Sequence, residues 1–324
     1  MVDSDYDGFL DEITGKNTAK IDSKKDENPL VWDVSDRDLA MFSQLSYADN
    51  LYSLFGVDLS ELSDAQSSEM DSKLFNNTGS VKELKGWKVT AIYDKDALQG
   101  NYDRVTYYTN KSVIETYSFV VPEQLRIVVF QKDKNTVIAY RGSTFTFDDW
   151  GNNLTRYGIL RNDPGVPAVR DCVVAIFNNI SLNQKIYLTG HSRGGMLAQN
   201  ATAEAVIKGF NNRISGLTYF NGIGAFINVG GKDGESDMVK FGDNYSKNVE
   251  PLLAISSKIR RHYVRGDAVD PIGWHAVERT SVIFLTDVAR TKLAPIILEC
   301  HKMVNFVYTY MPERYKRAIG ELPK

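Results

Sequence analysis

Gly190-His191-Ser192-Arg193-Gly194 sets a serine between two glycines, each one residue removed from it, and this G-x-S-x-G spacing suits nucleophilic catalysis. A serine hydroxyl is nearly inert at neutral pH until a base takes its proton, so the chemistry also needs a histidine oriented by a carboxylate. The chain offers four histidines, His191, His262, His275 and His301. His191 adjoins the serine and cannot readily turn onto its hydroxyl, which leaves the other three. The glycines have a steric reason. A turn sharp enough to expose Ser192 strains its backbone, and side chains at 190 and 194 would collide with the strand before it and the helix after it. At a helix N-terminus the dipole and the amide of Arg193 favour negative charge, as a tetrahedral oxyanion requires. The plainer use of a serine in this place is to cap the helix.

The elements around the motif are those such a turn needs. Lys185 to Leu188 is a short apolar strand pattern, and Gly194 to Gly209 carries Ala, Met, Leu and Gln in helical abundance before a terminal glycine able to cap it. Upstream, Leu125 to Gln131 and Thr136 to Tyr140 are β-branched apolar runs separated by Lys132, Asp133, Lys134 and Asn135, the pattern of two strands joined by a turn. Val166, Val169, Val173, Val174 and Phe177 recur at helical spacing. Leu217 to Phe220, Arg261 to Arg265 and Ser281 to Leu285 are further strand candidates. Ser35 is an N-cap candidate with Asp38 three residues on, and Leu39, Phe42, Leu45 and Ser46 follow at helical spacing. Leu51 to Gly100 carries short, mixed signals that assign no element. Strands alternating with helices imply an α/β protein with a mostly parallel sheet covered on both faces.

Three segments carry a resemblance to the class 3 (fungal-type) lipase family and its bacterial lipase-like relatives. Ala139-Tyr140-Arg141-Gly142-Ser143-Thr144, followed by Asp149-Trp150-Gly151-Asn152-Asn153-Leu154, resembles that family's F-R-G-[ST] strand end and the D-W-x-x-[DN]-L stretch after it. Gly190 to Ala198 is similar to its G-H-S-x-G-G-x-L-A segment. Arg265-Gly266-Asp267-Ala268-Val269-Asp270-Pro271 resembles its D-x-V-P acid loop, with one extra residue between Val269 and Pro271. The resemblance implies an α/β-hydrolase fold, a Ser-Asp-His triad with Ser192 as nucleophile, and an oxyanion hole to which Ser143 contributes beside the amide of Arg193. Asp267, one glycine beyond the strand candidate 261–265, is favoured as the acid over Asp270, which precedes a proline and shapes a turn. His301, ahead of Val304, Asn305 and Phe306, resembles the family's histidine and is favoured over His275. His262 precedes the acid and runs against the Ser, Asp, His order of this fold. Thr144, Phe145, Thr146, Phe147 and Trp150 fall where the family carries its lid, and exposed aromatics there would meet acyl chains or a bilayer surface.

Composition bounds the rest. The chain has 324 residues, 43% apolar and 24% charged, enough for one large core. A net charge of −3 supplies no basic field for nucleic acid. The two cysteines, Cys172 and Cys300, lack partners at metal-ligand spacing and suit buried filling, with a single bridge as the alternative. No metal or cofactor is expected. Met1 to Asn28 is polar with isolated apolar residues and is expected to be a mobile tail, the hydrolase domain spanning 29–324. No signal-type apolar region and no run of ~18 apolar residues occurs, so the expected protein is soluble and either cytoplasmic or exported without a leader.

The sequence thus reads as a serine carboxylic-ester hydrolase acting on lipid esters, a triacylglycerol lipase or phospholipase A, through an acyl-enzyme and without a metal. The substrate is a lipid ester at a membrane or droplet surface. Two alternatives stand beside it: a leaderless lipase-type antibacterial toxin held by an immunity or inhibitor protein, and a non-catalytic binding protein that keeps the fold.

Overall fold

A computed structural model describes residues 32–49, 51–75, 79–94, 104–109, 112–118, 125–143, 165–225, 245–264, 267 and 274–283. Its centre is a nine-stranded sheet in the order β3-β2-β1-β4-β5-β6-β7-β8-β9. The strands are β1 (Lys88–Asp94), β2 (Arg104–Thr109), β3 (Ser112–Ser118), β4 (Arg126–Lys132), β5 (Asn135–Tyr140), β6 (Lys185–His191), β7 (Ile214–Phe220), β8 (Ile259–Val264) and β9 (Ser281–Ile283). From β5 to β9 all pairings are parallel. The remaining strands extend the sheet as an antiparallel wing, joined to it by the β4–β5 hairpin. Asp133 takes the positive φ of 51° at that hairpin's turn, a conformation Asp tolerates better than most side chains.

Alternation along the buried strands splits the interior into two cores. Ile138 and Tyr140 of β5, Ile186 and Leu188 of β6 and Leu217 and Tyr219 of β7 face one side. There they meet α3 (Gly165–Asn179) and α4 (Arg193–Ile207). Val137, Ala139, Tyr187 and Phe220 face the other, where α1 (Asp36–Leu45) lies across the sheet. The helix α2 (Asp64–Phe75) packs on α1. Helices cover both faces of a sheet that is parallel from β5 to β9, which is the α/β-hydrolase arrangement.

The helix ends follow from local chemistry. Ser35 caps α1, accepting the N–H of Asp38 at 3.0 Å. Leu39, Phe42 and Leu45 are fully buried along its inner face. Gly209, at φ +83°, lets the chain leave α4 in a left-handed turn that a β-carbon would strain. Cys172 is a buried thiol in the core beneath α3, and burial pushes its ionisation well above the ordinary thiol range. Cys300 and the residues up to Asn28 lie outside the described residues.

Candidate active site

Strand β6 ends at His191, the chain turns at Ser192, and α4 begins at Arg193. Ser192 has φ 58° and ψ −130°, a conformation that costs a non-glycine residue about 1–3 kcal/mol and persists only where its surroundings impose it. Those surroundings are explicit. The N–H of Ser192 donates to the carbonyl of Phe220 at 3.1 Å, and its own carbonyl accepts from Gly195 at 2.9 Å and Ile223 at 3.3 Å. Its side chain makes no capping bond to the helix. A β-carbon on Gly190 would stand 2.2 Å from the carbonyl oxygen of Gly194, and one on Gly194 would stand 2.2 Å from the carbonyl oxygen of Tyr140. Both glycines are therefore dictated by backbone, which cannot yield as a flexible side chain can.

The end of β5 lies alongside. Tyr140 pairs with Gly190, which brings Arg141, Gly142 and Ser143 past the elbow. A β-carbon on Gly142 would be 2.7 Å from the carbonyl oxygen of His191 and 3.3 Å from the amide nitrogen of Gly194, so this strand end and the start of α4 are in van der Waals contact. The N–H of Gly142 donates at 2.9 Å to the hydroxyl of Tyr47, just beyond α1. Arg193 and Gly194 open α4, where the first N–H groups of a helix lack intrahelical acceptors. This corner gathers amide donors beside Ser192 and next to Ser143.

On the other side, Asn221 takes φ 42° directly after β7. Its amide N–H donates to the carbonyl of His262 at 2.9 Å and its side-chain oxygen accepts the N–H of Val264 at 2.8 Å. The ends of β7 and β8 are thereby locked together. Asp267 follows β8, its N–H donating to the carbonyl of Val264 at 3.0 Å, and only 3% of its surface is exposed. A carboxylate so enclosed at the carboxyl edge is suited to orienting an imidazole. His301, Asp270, Phe145, Phe147 and Trp150 lie outside the described residues.

The other histidines have defined places. His275 stacks on Tyr219, with ring centroids 5.8 Å apart, and its Nδ1 is 3.2 Å from the tyrosine hydroxyl. His262 shares a row across the sheet with His191, Phe220 and Ser281. Its ring stacks on Phe220, Nδ1 is 2.7 Å from the Ser281 hydroxyl, and Nε2 is 3.5 Å from Asp36 Oδ1. Burial pushes the Asp36 carboxyl up, but His262 and Arg260 together outweigh it and hold the group below the usual carboxylate range. This group fastens the start of α1 to the sheet.

Tyr47 and Asn221 are the site neighbours that motif reading passes over. Tyr47 is separated from its partner by 95 positions, and no periodicity links them. Asn221 carried a weak signal, since an Asn directly after a strand is a frequent bearer of positive φ.

The Mbeg1-like family, which is lipase-like, matches residues 101–239. No curated protein matches the chain in sequence. Among solved structures, M37 lipase is similar over 89% of this chain and 94% of its own, at 16% identity and a TM-score of 0.40. A mono- and diacylglycerol lipase from Aspergillus oryzae is similar over 73% and 74%, at 16% identity and a TM-score of 0.37. A Rhizomucor miehei lipase in complex with its propeptide is similar over 81% and 73%, at 14% identity and a TM-score of 0.32. Among the described residues, no helix is long and apolar enough to cross a membrane.

Proposed function

We propose that the protein is a serine hydrolase of lipid carboxylic esters, with Ser192 as nucleophile, His301 as general base and Asp267 as the acid that orients it. The observation that carries this reading is the backbone of Ser192, at φ 58° and ψ −130° between two glycines whose β-carbons would enter neighbouring backbone. A helix cap needs no such strain, whereas a nucleophile that must stand clear of its turn does.

In the proposed reaction His301 takes the Ser192 proton as the hydroxyl oxygen attacks the ester carbonyl. The resulting oxyanion lies against the amide of Arg193 and against Ser143, donors fixed before the substrate arrives. Collapse of the intermediate expels the alcohol, which takes the proton from the imidazolium, and leaves the acyl group on Ser192. Water, deprotonated by the same histidine, then attacks the acyl-enzyme and releases the acid. Phe145, Phe147 and Trp150 supply three aromatics suited to the acyl chains that glycerides and phospholipids share.

Hydrolysis of p-nitrophenyl esters of graded chain length tests the assignment. Wild type is expected to prefer longer acyl chains. Ser192→Ala and His301→Ala are expected to lose at least about 10³-fold in kcat, while His275→Ala remains active. Activity indifferent to Ser192 would refute the reading, and a folded wild type inert toward every ester would favour a binding protein.

A further inference from the structure

Among the described residues, the one hydrogen bond at the Tyr47 hydroxyl is the one it accepts from the Gly142 N–H, at 2.9 Å. That accounts for a lone pair and leaves the phenolic proton to be placed. The oxygen stands where strand end and elbow meet, since a β-carbon on Gly142 would be 2.3 Å from it, 2.7 Å from the His191 carbonyl oxygen and 3.3 Å from the Gly194 amide nitrogen. Local charge favours an anion there. The opening turn of α4 presents its amides, and both Arg141 and Arg193 act on the phenol electrostatically. A hydroxyl proton in an electropositive corner calls for an acceptor. In the ester-hydrolase reading, the carbonyl oxygen of the substrate becomes a far stronger acceptor in this corner as it turns into the oxyanion.

We propose that Tyr47 is a catalytic residue, a further oxyanion donor whose hydroxyl accepts from the Gly142 amide and donates its own proton to the tetrahedral intermediate. The inference rests on Ser192 being the nucleophile. The Gly142 bond fixes the direction of the phenol, so its proton is aimed before substrate binds, and desolvation pushes the phenol up to about 12, which keeps that proton in place across the working pH range. The supports of Tyr47 come from the antiparallel wing. Arg126 donates to the carbonyl of the adjacent Ala48 at 2.9 Å and is itself ion-paired with the buried Asp94. The wing thereby contributes to a site that otherwise belongs to the parallel half of the sheet.

Tyr47→Phe keeps the ring and removes only the hydroxyl. On the best p-nitrophenyl ester it is expected to lower kcat about 10- to 100-fold while KM stays within about twofold, since the bond forms chiefly in the transition state. An alkylboronic acid, whose serine adduct is a tetrahedral boronate with one oxygen in the place of the oxyanion, is expected to bind the variant more weakly by a similar factor. 4-Aminophenylalanine placed at position 47 retains a donor at the same reach and is expected to recover part of the loss. If the Phe variant does not fold, the 4-aminophenylalanine variant carries the test alone, with activity within about tenfold of wild type expected and a folded but inactive protein overturning the proposal. A folded Tyr47→Phe with unchanged kcat, or with only KM raised, overturns the proposal while leaving Ser192 in its role. A wild type whose hydrolysis does not depend on Ser192 overturns both.

Discussion

A β-carbon added to Gly194 would meet the carbonyl oxygen of Tyr140 at 2.2 Å, so the helix that follows Ser192 is seated directly on the strand that leads to Ser143. The turn at Ser192 and the end of β5 form one rigid contact. Gly194→Ala must push them apart and is expected to cost about 1–3 kcal/mol of stability, the usual range for overpacking, together with most of the esterase activity. Thermal unfolding and ester turnover on the same sample check this. A variant with native melting and native turnover would show that the contact yields freely.

Asn221 ties the end of β7, whose Phe220 carbonyl accepts the Ser192 N–H, to the end of β8, which leads to Asp267. Asn221→Ala places an alanine at φ 42° and removes the acceptor of the Val264 N–H. The expected cost is about 2–3 kcal/mol, the sum of left-handed strain and one lost buried bond. Turnover is expected to fall further than the folded fraction explains, because the Asp267 N–H is held by the carbonyl of Val264, the residue whose N–H Asn221 holds. Denaturant unfolding and kcat measured in parallel separate the two effects.

Asp36 is held below the usual carboxylate range despite its burial, because His262 and Arg260 favour the charged form. A carboxylate with a lowered folded pKa stabilises the fold above its unfolded value, near 4, and that contribution disappears as pH falls through the folded value. Asp36→Asn is therefore expected to be less stable than wild type at pH 7, the gap closing as pH drops below about 4. Stability curves of the two proteins from pH 7 to pH 3 test the sign. A gap that widens as pH falls below about 4 would contradict it.

The sequence displays the parallel half of the sheet and the β4–β5 hairpin plainly. The runs 125–131, 136–140, 185–188, 217–220 and 261–265 all fall on observed strands with ends shifted by a few residues, because buried strands read as continuous apolar segments. The Ser35 cap and the glycine beyond α4 were equally legible, since each rests on chemistry confined to a single turn. The outer strands of the antiparallel wing were not. Lys88–Asp94 mixes lysine, threonine and tyrosine with its apolar residues, and α2 is a largely exposed helix in which only Ser67 and Phe75 are buried, so neither offers a clean period. Within the site, the glycines of the elbow announced their own reason in the sequence. Tyr47 did not, because its role comes from a contact between distant segments.

The central claim is that Ser192 is an activated nucleophile, and labelling with a fluorophosphonate tests it most directly, since the reagent forms its adduct only on a serine whose proton is withdrawn by a working base. The account predicts stoichiometric modification that peptide mass mapping assigns to Ser192, abolished in Ser192→Ala and slowed by orders of magnitude in His301→Ala. A folded protein that takes up no label, or labels equally well without Ser192, would contradict it.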